Sequence, residues 1–301
     1  MKTSLLLRIK NIFVRSPLRL SQEKIKPLGF ADDVLVSELK QMPKFLYVTN
    51  PGNIGDMLIA LATLEFFKRY KFKYRMYSGQ KKARYVVYGG GGAWTRDYEQ
   101  WMGKFIRLFK SARRIVILPS SFYECTRLLS ILDKRFVVFC RERKSYEYLI
   151  SQNTGAKIML DHDMALRLTA NGLGYKYRID DRGTDLLKKY QDIIVNKTAY
   201  FMRIDCESAG HYKTDIDISD LAHGSAKSSR DWIMLCSQVM LNIVVQANTI
   251  VTDRLHVGIA GLLLNKDVYL LDNSYGKLSS VYNHSLKKFK NVHFCKKMPK
   301  L

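Results

Sequence analysis

The sequence predicts an α/β fold made of two parallel-sheet units joined by a linker. Short, continuously apolar runs typical of buried strands alternate with segments of helical periodicity, and a charged, glycine-punctuated stretch at residues 169–190 interrupts this alternation. Strands that are apolar throughout are buried on both faces, which is typical of parallel sheets covered by helices. The chain of 301 residues is 47% hydrophobic, which is enough apolar material for a core of this kind.

The first unit is expected over residues 31–172. Its strand patterns cover residues 45–48, 84–88, 115–118 (ending at Pro119), 136–140 and 157–160. Helical periodicity lies between them at residues 55–70 and 97–109, and again after residue 140 as far as residue 149. This order predicts repeated β–α–β units.

A linker is expected at residues 173–190 and a second unit at residues 191–301. The strand patterns of the second unit cover residues 198–203, 249–252, 268–271 and 292–294, with helical patterns at residues 231–246 and 255–264. Two such units leave a cleft between them. Ligands of parallel sheets bind at the carboxyl ends of the strands, so the residues that follow each strand are the candidates for a site.

The charge of the chain is strongly positive and is concentrated at its ends. Lys and Arg total 50 against 27 Asp and Glu, for a formal charge of +23. Residues 1–30 hold seven basic residues and one Glu, and residues 277–301 hold seven Lys and no acid. This pattern indicates an anionic partner. Nucleic acid is not expected, because the sequence has neither zinc-finger spacing nor an aromatic RNA-binding signature.

The N-terminal segment has the pattern of a short basic amphipathic helix. Leu5, Ile9, Ile12 and Phe13 share one helical face, and Pro17 ends the pattern. Such a helix either lies on an anionic membrane surface or packs on its own protein. There is no secretory signal, no apolar run long enough to span a membrane and no CxxC pair among the five cysteines, which predicts a reducing compartment without disulfides or zinc.

Two glycine-containing loops follow strands of the first unit. Asn53 to Asp56 joins a strand to a helix, where free backbone amides attract anions. Asp56 either caps this helix or accepts a proton from a substrate hydroxyl. The glycine run 89–92, which includes Gly90 and Gly91, either makes room for a ligand or forms a plain turn, and no Gly-Lys-Ser/Thr follows it to make a phosphate loop.

Charged side chains follow strands in both units. Arg141 can hold a carboxylate or phosphate through two hydrogen bonds, or it can form a surface salt bridge with its acidic neighbour. Arg203, Asp205 and Glu207 alternate, which places them on one side of an extended segment. This group could orient the hydroxyls of a sugar, or it could be a solvated edge.

The sharpest local signal is Arg254 and His256, between the strand at 249–252 and the helix that follows it. A cation, an imidazole and free helix amides at one point predict an anion site with a proton donor beside it. Lys277, on a loop after the next strand, can reach a charged ligand in the same cleft.

These residues resemble the polysaccharide pyruvyltransferases. The matching segments are residues 52–56, the glycine run 89–92, Arg141-Glu142 with Ser145, and residues 161–166, 200–207, 251–256 and 271–277, in the order of that family. The resemblance implies a glycosyltransferase-B-like fold of two Rossmann-like domains facing a cleft. It also implies transfer of pyruvate from phosphoenolpyruvate to a sugar as a cyclic ketal, with release of phosphate. The fourth glycine of the run, where relatives often carry Asn, is a departure on the acceptor side.

The resemblance also implies roles for individual residues. Arg141, Arg254, His256 and Lys277 are expected to act on phosphoenolpyruvate. Ketal formation requires an acid, a base and cations for a carboxylate and a phosphate. His256 is the candidate acid, Arg254 or Lys277 the phosphate ligand, Arg141 the carboxylate ligand and Asp56 the base. The acceptor sugar is expected mainly on the first unit, with further contacts from the second. The expected contacts are Asn53, Asp56, Gly90, Gly91, Arg203, Asp205 and Glu207.

The expected reaction uses no metal ion, nucleotide or other cofactor. The expected place is the cytoplasmic face of the plasma membrane, with a lipid-linked saccharide of exopolysaccharide or capsule synthesis as acceptor. Two other functions stay open at this point. One is a sugar-nucleotide-dependent glycosyltransferase of the same fold, and the other is a non-enzymatic binder of anionic polymer or membrane.

Overall fold

The computed structural model of the protein describes residues 28–96, 98–169, 197–205, 207–210, 212–274 and 276–301. The amphipathic helix predicted in the basic N-terminal segment and the linker predicted at residues 173–190 lie outside these ranges. Among the helices that are described, none combines the length and hydropathy that a membrane span requires. Cys125, Cys140, Cys236 and Cys295 are not joined in disulfides.

Strands and helices alternate along the described chain, as the apolar periodicity predicts. The strands are β1 Phe45–Val48, β2 Gly52–Asn53, β3 Tyr74–Met76, β4 Tyr85–Tyr88, β5 Gly91–Thr95, β6 Arg114–Tyr123, β7 Phe136–Cys140, β8 Lys157–Leu160, β9 Thr198–Phe201, β10 His223–Gly224, β11 Thr249–Thr252, β12 Asp267–Leu271 and β13 Val292–Cys295. The α-helices are α1 Asp33–Lys40, α2 Ile54–Arg69, α3 Glu99–Met102, α4 Ile106–Ser111, α5 Thr126–Leu129, α6 Arg143–Ser151, α7 Arg230–Val244, α8 Leu255–Leu263 and α9 Lys277–Val281. Short 3-10 helices cover Gly103–Phe105, Met164–Arg167 and Ile218–Leu221, and a π-helix covers Tyr282–Leu286.

The strands form two parallel sheets and one short antiparallel ribbon. The first sheet has the order β3-β1-β4-β6-β7-β8, with β5 also parallel to β6, and the second has the order β13-β12-β11-β9. The ribbon pairs β2 with β10 and so connects the two halves of the chain. The predicted α/β class with parallel sheets is confirmed. The boundaries of the two units, and their arrangement as domains facing a cleft, stay predictions.

One strand of the first sheet continues past the point where the sequence predicts its end, and a further strand follows the predicted strand that ends at residue 88. β6 runs through Pro119, and its register with β7 shifts between Ile117 and Ser120, since proline cannot donate to a regular ladder. β5 continues along β6 in the line of β4, because Tyr88 pairs with Ile117 and Gly91 with Ser120. The predicted end at residue 118 is therefore wrong, whereas β4 ends at Tyr88 as predicted and β5 is a separate strand that the sequence does not predict.

The glycine run permits this close passage. A Cβ atom on Gly90 would lie 2.5 Å from the carbonyl oxygen of Pro119, and Gly91 has a φ of +141°. Both positions therefore need glycine, one for space and the other for its backbone conformation. The run is an ordered part of the sheet and not a plain turn.

Two further predicted elements differ from those observed. The helical pattern at residues 97–109 forms α3, a 3-10 turn and α4 in succession, with Gly103, a weak helix former, at the junction. The strand predicted at residues 198–203 ends at Phe201. The backbone amides of Arg203 and Ile204 donate to the carboxylates of Asp253 (2.8 Å) and Asp217 (3.0 Å), so they are not available to the sheet.

The two halves share one hydrophobic core. α2 is buried on nearly every side and packs on α7, where the hydroxyl of Ser237 donates to the carbonyl oxygen of Met57 at 3.0 Å. A polar contact joins the halves elsewhere: the rings of His162 and His284 stack 4.6 Å apart. Burial and the neighbouring His284 lower the pKa of His162 to about 4, so the imidazole of His162 is neutral at physiological pH.

We expect Gly90→Ala to lower the free energy of unfolding by ~1–3 kcal/mol, the usual cost of forcing an extra methyl group into a packed site. Gly155→Ala is the matched control, because a Cβ atom at Gly155 meets its nearest neighbour at 3.4 Å, an ordinary contact. Denaturant unfolding of both variants checks this expectation. Equal stability of the two variants would show that the passage of β4 and β5 along β6 does not require glycine.

Candidate active site

A cavity of about 500 Å³ lies at the carboxyl ends of strands from both sheets. Nearly all the site residues predicted from the sequence line it: Asn53, Asp56, Arg141, Arg203, Asp205, Glu207, Arg254, His256 and Lys277. Gly90 and Gly91 are not part of its wall, although Gly92 is. Because these residues are distant in sequence, their convergence is a property of the fold.

The centre of the cavity joins Arg141, Asp163 and His256. Arg141 Nη1 donates to Asp163 Oδ2 at 2.8 Å, and His256 Nε2 lies 3.5 Å from the same oxygen and 3.5 Å from Arg141 Nη1. The side chains of Arg141 and Asp163 are almost fully buried. A carboxylate beside an imidazole is an arrangement that holds a histidine in one orientation for proton transfer.

Local structure fixes each member of this group. Arg141 follows β7, and its Nε donates to the hydroxyl of Ser121 at 2.8 Å. Asp163 caps the 3-10 helix Met164–Arg167 through Oδ1, which accepts from the amide of Ala165 at 2.8 Å, and this leaves Oδ2 for Arg141 and His256. The surface salt bridge considered for Arg141 does not form, because Glu142 instead accepts from the hydroxyls of Ser121 and Ser145.

The pKa of Asp163 lies well below the ordinary value for a carboxyl group. Burial alone would raise it, but the hydrogen bond and the charge of His256 and the charge of Arg141 more than offset that effect. Asp163 is therefore ionised at all physiological pH values. The imidazole of His256 therefore lies beside a carboxylate that stays ionised.

Asp56 takes part both in the helix cap and in the cavity. Its Oδ2 accepts from the backbone amide of Asn53 at 3.1 Å in a capping box of α2, and its Oδ1 accepts from Asn50 Nδ2 at 2.8 Å. Burial raises the pKa of Asp56, against the charges of His256 and Arg141. A Cβ atom on Gly91 would lie 2.7 Å from Asp56 Oδ1, so this glycine makes room for Asp56.

Glycine also permits the approach of His256. A Cβ atom on Gly55 would lie 2.5 Å from Nδ1 of His256, which stands in the first turn of α8. α2 and α8 belong to different halves of the chain and meet at this point. The glycine of the loop therefore serves the packing of the imidazole against the first turn of α2.

Arg254 is bound by two carboxylates. Its Nε donates to Asp217 Oδ1 at 3.0 Å, its Nη2 also contacts Asp217, and its Nη1 lies 2.7 Å from Asp205 Oδ2. The guanidinium is buried, as is Asp217. The two hydrogen bonds to Asp217 fix the plane of the Arg254 guanidinium.

Glu207 holds Lys277 and Arg203 together. Lys277 Nζ lies 2.9 Å from Glu207 Oε2, which Arg203 also contacts. Burial would raise the pKa of Glu207, but these two cations hold it well below the ordinary value. The segment is not extended as its alternating charges predict. It turns at Asp205, whose carboxylate accepts from the amide of Glu207 at 3.1 Å.

These contacts define what the cavity can do chemically. Four of the five described Lys and Arg residues on its wall (Arg141, Arg203, Arg254 and Lys277) already hold a carboxylate, and the fifth is Lys104. Around these four the wall offers fixed N–H donors more than uncompensated positive charge. Such preorganised donors suit an anion whose charge changes during a reaction. A histidine and a carboxyl group of raised pKa, Asp56, can move protons in the same space.

Sequence reasoning did not find several of the supporting residues. Asp163 has a visible signal, because it follows the strand at residues 157–160, although it was not singled out there. Ser121 also follows a predicted strand, at residues 115–118, and so is among the candidates that position indicates. Asp217 has no local signal, since its partner Arg254 stands 37 residues away along the chain.

Comparisons with known proteins find matches that include strands of both sheets. A sequence model of the family described as Polysaccharide pyruvyl transferase matches residues 53–275. A protein of Bacillus subtilis (strain 168) named "Putative pyruvyl transferase EpsO" is 23% identical over a gapped alignment of 285 residues. The alignment covers 83% of this chain and 87% of that protein. The crystal structure of a functionally uncharacterized protein, KP1_0663, from Klebsiella pneumoniae subsp. pneumoniae NTUH-K2044 is 29% identical, with a TM-score of 0.71 over 88% of this chain and 97% of that one.

We expect Asp163→Asn to lower the free energy of unfolding at neutral pH by ~3–5 kcal/mol, because it leaves a buried guanidinium without its carboxylate. The pKa of Asp163 is depressed on folding, so its contribution is present above pH ~4 and is lost as the pH falls further. The variant should therefore lose less stability than the wild type on acidification below pH ~4.

Asp133→Asn is the matched control. It removes an Asp–Arg pair that is exposed on the surface, so its cost should be ~1 kcal/mol or less. Denaturant unfolding at a series of pH values compares the two variants. Equal costs at neutral pH would show that the contact of Asp163 with Arg141 and His256 does not stabilise the fold.

Proposed function

The chain belongs to the polysaccharide pyruvyl transferase family, and on this premise we propose that it transfers pyruvate from phosphoenolpyruvate to a sugar as a cyclic ketal, with release of phosphate. As a member of the family it is a transferase of polysaccharide biosynthesis that acts on a saccharide acceptor. The observation that carries the proposal is the convergence of His256, the Arg141–Asp163 pair and further cations in one cavity. The sequence resemblance, which implies that Arg141, Arg254, His256 and Lys277 act on the donor, supports the same proposal.

The proposed reaction has two stages. A proton adds to the methylene carbon of phosphoenolpyruvate, and one sugar hydroxyl attacks the central carbon and gives up its proton. A second hydroxyl then attacks the same carbon, and the carbon–oxygen bond to phosphate breaks, so phosphate leaves with the second proton. One acid, one base and a set of N–H donors are enough for these steps, and the proposal includes no metal ion, nucleotide or other cofactor.

The contacts around His256 support its role as the acid that protonates the methylene carbon. Asp163 Oδ2 lies 3.5 Å from Nε2 of the His256 imidazole, and Gly55 allows this imidazole to pack against the start of α2. Asp56, whose pKa is raised by burial, is the proposed base for a sugar hydroxyl. A base with a raised pKa holds an abstracted proton more readily than an ordinary carboxylate.

The proposed donor ligands are cations that the fold holds in fixed positions. We assign Arg141 to the carboxylate of phosphoenolpyruvate and Arg254 or Lys277 to its phosphate. Both guanidinium groups are held by carboxylates, so they enter the reaction without reorganising. The proposed acceptor contacts on the wall are the following: Asn53, Asp56, Arg203, Asp205 and Glu207. Gly90 and Gly91 act indirectly in this proposal, since they shape the wall from behind.

The proposal extends to the arrangement of the fold. The two sheets correspond to Rossmann-like domains at residues 31–172 and 191–301, joined by a linker at 173–190, in a glycosyltransferase-B-like arrangement. The position of the cavity at the carboxyl ends of strands in both sheets supports this. In this proposal the first domain is mainly the acceptor side and the second mainly the donor side, with Arg141 reaching the donor from the first domain and residues 203–207 reaching the acceptor from the second.

The basic ends of the chain support a place at the membrane surface. The lysines of the C-terminal segment, from Lys287 to Lys300, are exposed. The N-terminal segment adds the amphipathic pattern seen in the sequence. We propose reversible attachment to the cytoplasmic face of the plasma membrane, where a lipid-linked saccharide is the acceptor.

Replacement of His256 by Gln should reduce turnover by ~10²–10⁴-fold, the usual effect of removing a general acid. His223→Gln is the matched control, because His223 lines the same cavity but is exposed and stands away from the Asp163 pair. Turnover is measured as phosphate released from phosphoenolpyruvate in the presence of saccharide, with thermal unfolding to verify the fold.

Mass spectrometry of the product tests the reaction itself. The acceptor should become heavier by the mass of pyruvic acid less one water. A product of any other mass, or none from wild-type protein with phosphoenolpyruvate and saccharide, would refute the proposed reaction. Near-normal turnover of His256→Gln would remove only the role assigned to His256.

Co-sedimentation with vesicles tests the proposed attachment. The full-length protein should bind vesicles that contain anionic lipid, with ~1 kcal/mol from each basic residue near the surface, and high salt should release it. A variant that lacks residues 1–27 should bind more weakly, and vesicles without anionic lipid are the control. If the full-length protein does not sediment with anionic vesicles at low salt, the proposed location is wrong.

A further inference from the structure

Trp101 is an exposed aromatic residue on the wall of the cavity. Its exposed fraction is 66%, whereas Trp94 is 1% exposed and Trp232 is half-buried. Isolated surface leucines are common, but an indole left in water beside a functional cavity is unusual, because its burial would be strongly favourable. The exposure of Trp101 therefore requires an explanation that the reaction centre does not supply.

The main chain holds Trp101 in place. It stands in α3, where its amide donates to the carbonyl oxygen of Tyr98 at 3.0 Å. Its neighbour Met102 is buried and contacts the hydroxyl of Tyr88. On the other side, Arg127 Nη1 lies 3.5 Å from the carbonyl oxygen of Gln100. The indole thus stands on a helical turn that is anchored on both sides.

The two walls of the cavity differ in chemistry. The wall around Trp101 comes from the first half of the chain and includes Ala93, Tyr98 and Met102, with Lys104 at its edge. Other lining residues come from the second half of the chain and include Arg254, His256 and the Glu207–Lys277 pair. A small anion such as phosphoenolpyruvate matches these charged groups, whereas Ala93, Tyr98, Trp101 and Met102 offer mainly apolar and aromatic surface.

A pyranose ring fits the aromatic wall. Its C–H bonds carry partial positive charge and gather on one face of the ring, and the face of an indole carries partial negative charge. Stacking on this face leaves the hydroxyls at the ring edge free to reach polar groups deeper in the cavity, such as Asp56. Phosphoenolpyruvate offers no comparable face.

We propose that Trp101 is the stacking platform for the acceptor sugar, and that it positions the pyranose ring for attack on the donor. This inference rests on the proposed function, because it takes the ligand of this wall to be the saccharide acceptor. It adds a residue that neither charge pattern nor motif spacing indicates. Because Trp101 lies at the exposed rim, a longer saccharide leaves the cavity across it.

Iodide quenching of tryptophan fluorescence tests the contact. Trp101 is the most exposed of the three tryptophans, so iodide should quench mainly its emission. The probes are the methyl β-glycosides of glucose, galactose, mannose and N-acetylglucosamine, each added at high concentration. At least one of them should protect the wild type and Trp232→Phe from iodide, and this protection should be absent in Trp101→Phe. No protection of the wild type by any of the four overturns the proposal.

A second measurement separates stacking from mere proximity. Saturation-transfer NMR of the protecting glycoside should show binding that is weakened ~3–10-fold in Trp101→Ala, the range expected for loss of one aromatic contact. Ile150→Ala is the matched control, because Ile150 is another exposed apolar residue that does not line the cavity. Unchanged glycoside binding in Trp101→Ala overturns the proposal.

The donor side distinguishes this inference from the proposed function. Phosphoenolpyruvate should raise the melting temperature of the wild type and of Trp101→Ala equally. A shift in both proteins together with no glycoside effect would overturn only the platform. No shift in either protein would count against the donor proposal and, with it, against the premise of this inference.

Discussion

Asp163 holds the guanidinium of Arg141 at 2.8 Å and lies 3.5 Å from the imidazole of His256, without exposure to water. A buried carboxylate is costly unless cations and hydrogen bonds compensate it, and here the compensating groups come from both halves of the chain. Arg141 follows a strand of the first sheet, while His256 begins a helix of the second. The contact therefore fixes the geometry of the candidate site and joins the two halves of the chain beside the cavity.

The other side chains of the site fit around Asp163, Arg141 and His256 because glycines leave space for them. The imidazole fits because Gly55 leaves space at the start of α2, and Asp56 fits because Gly91 leaves space beside it. Asp56 in turn caps α2, the helix that packs on α7 and joins the halves through the core. Glycines with special backbone conformations or close contacts thus make room for the side chains of the candidate site, and Asp56 also stabilises the start of α2.

The sequence was sufficient for the sheets and for most of the charged residues on the cavity wall, because buried parallel strands are recognisable as short apolar runs and the residues that follow them are the candidates for a site. The observed bounds equal the predicted ones for Phe45–Val48, Phe136–Cys140, Lys157–Leu160 and Thr249–Thr252. Prediction failed where tertiary contacts override local signals. Pro119 stands inside a strand because the ladder shifts there, and Asp217 binds Arg254 from 37 residues away. Trp101 has no local signal, since exposure is a property of the folded chain.

The central claim is that phosphoenolpyruvate binds in the cavity between the two sheets, beside His256. A crystal structure of the full-length protein soaked with phosphoenolpyruvate, in the absence of acceptor, tests it most directly. The account predicts the ligand with its carboxylate and phosphate on N–H donors of Arg141, Arg254 or Lys277, and its methylene carbon towards the imidazole of His256. A ligand bound at another surface, with the cavity unoccupied at saturating concentration, would contradict it.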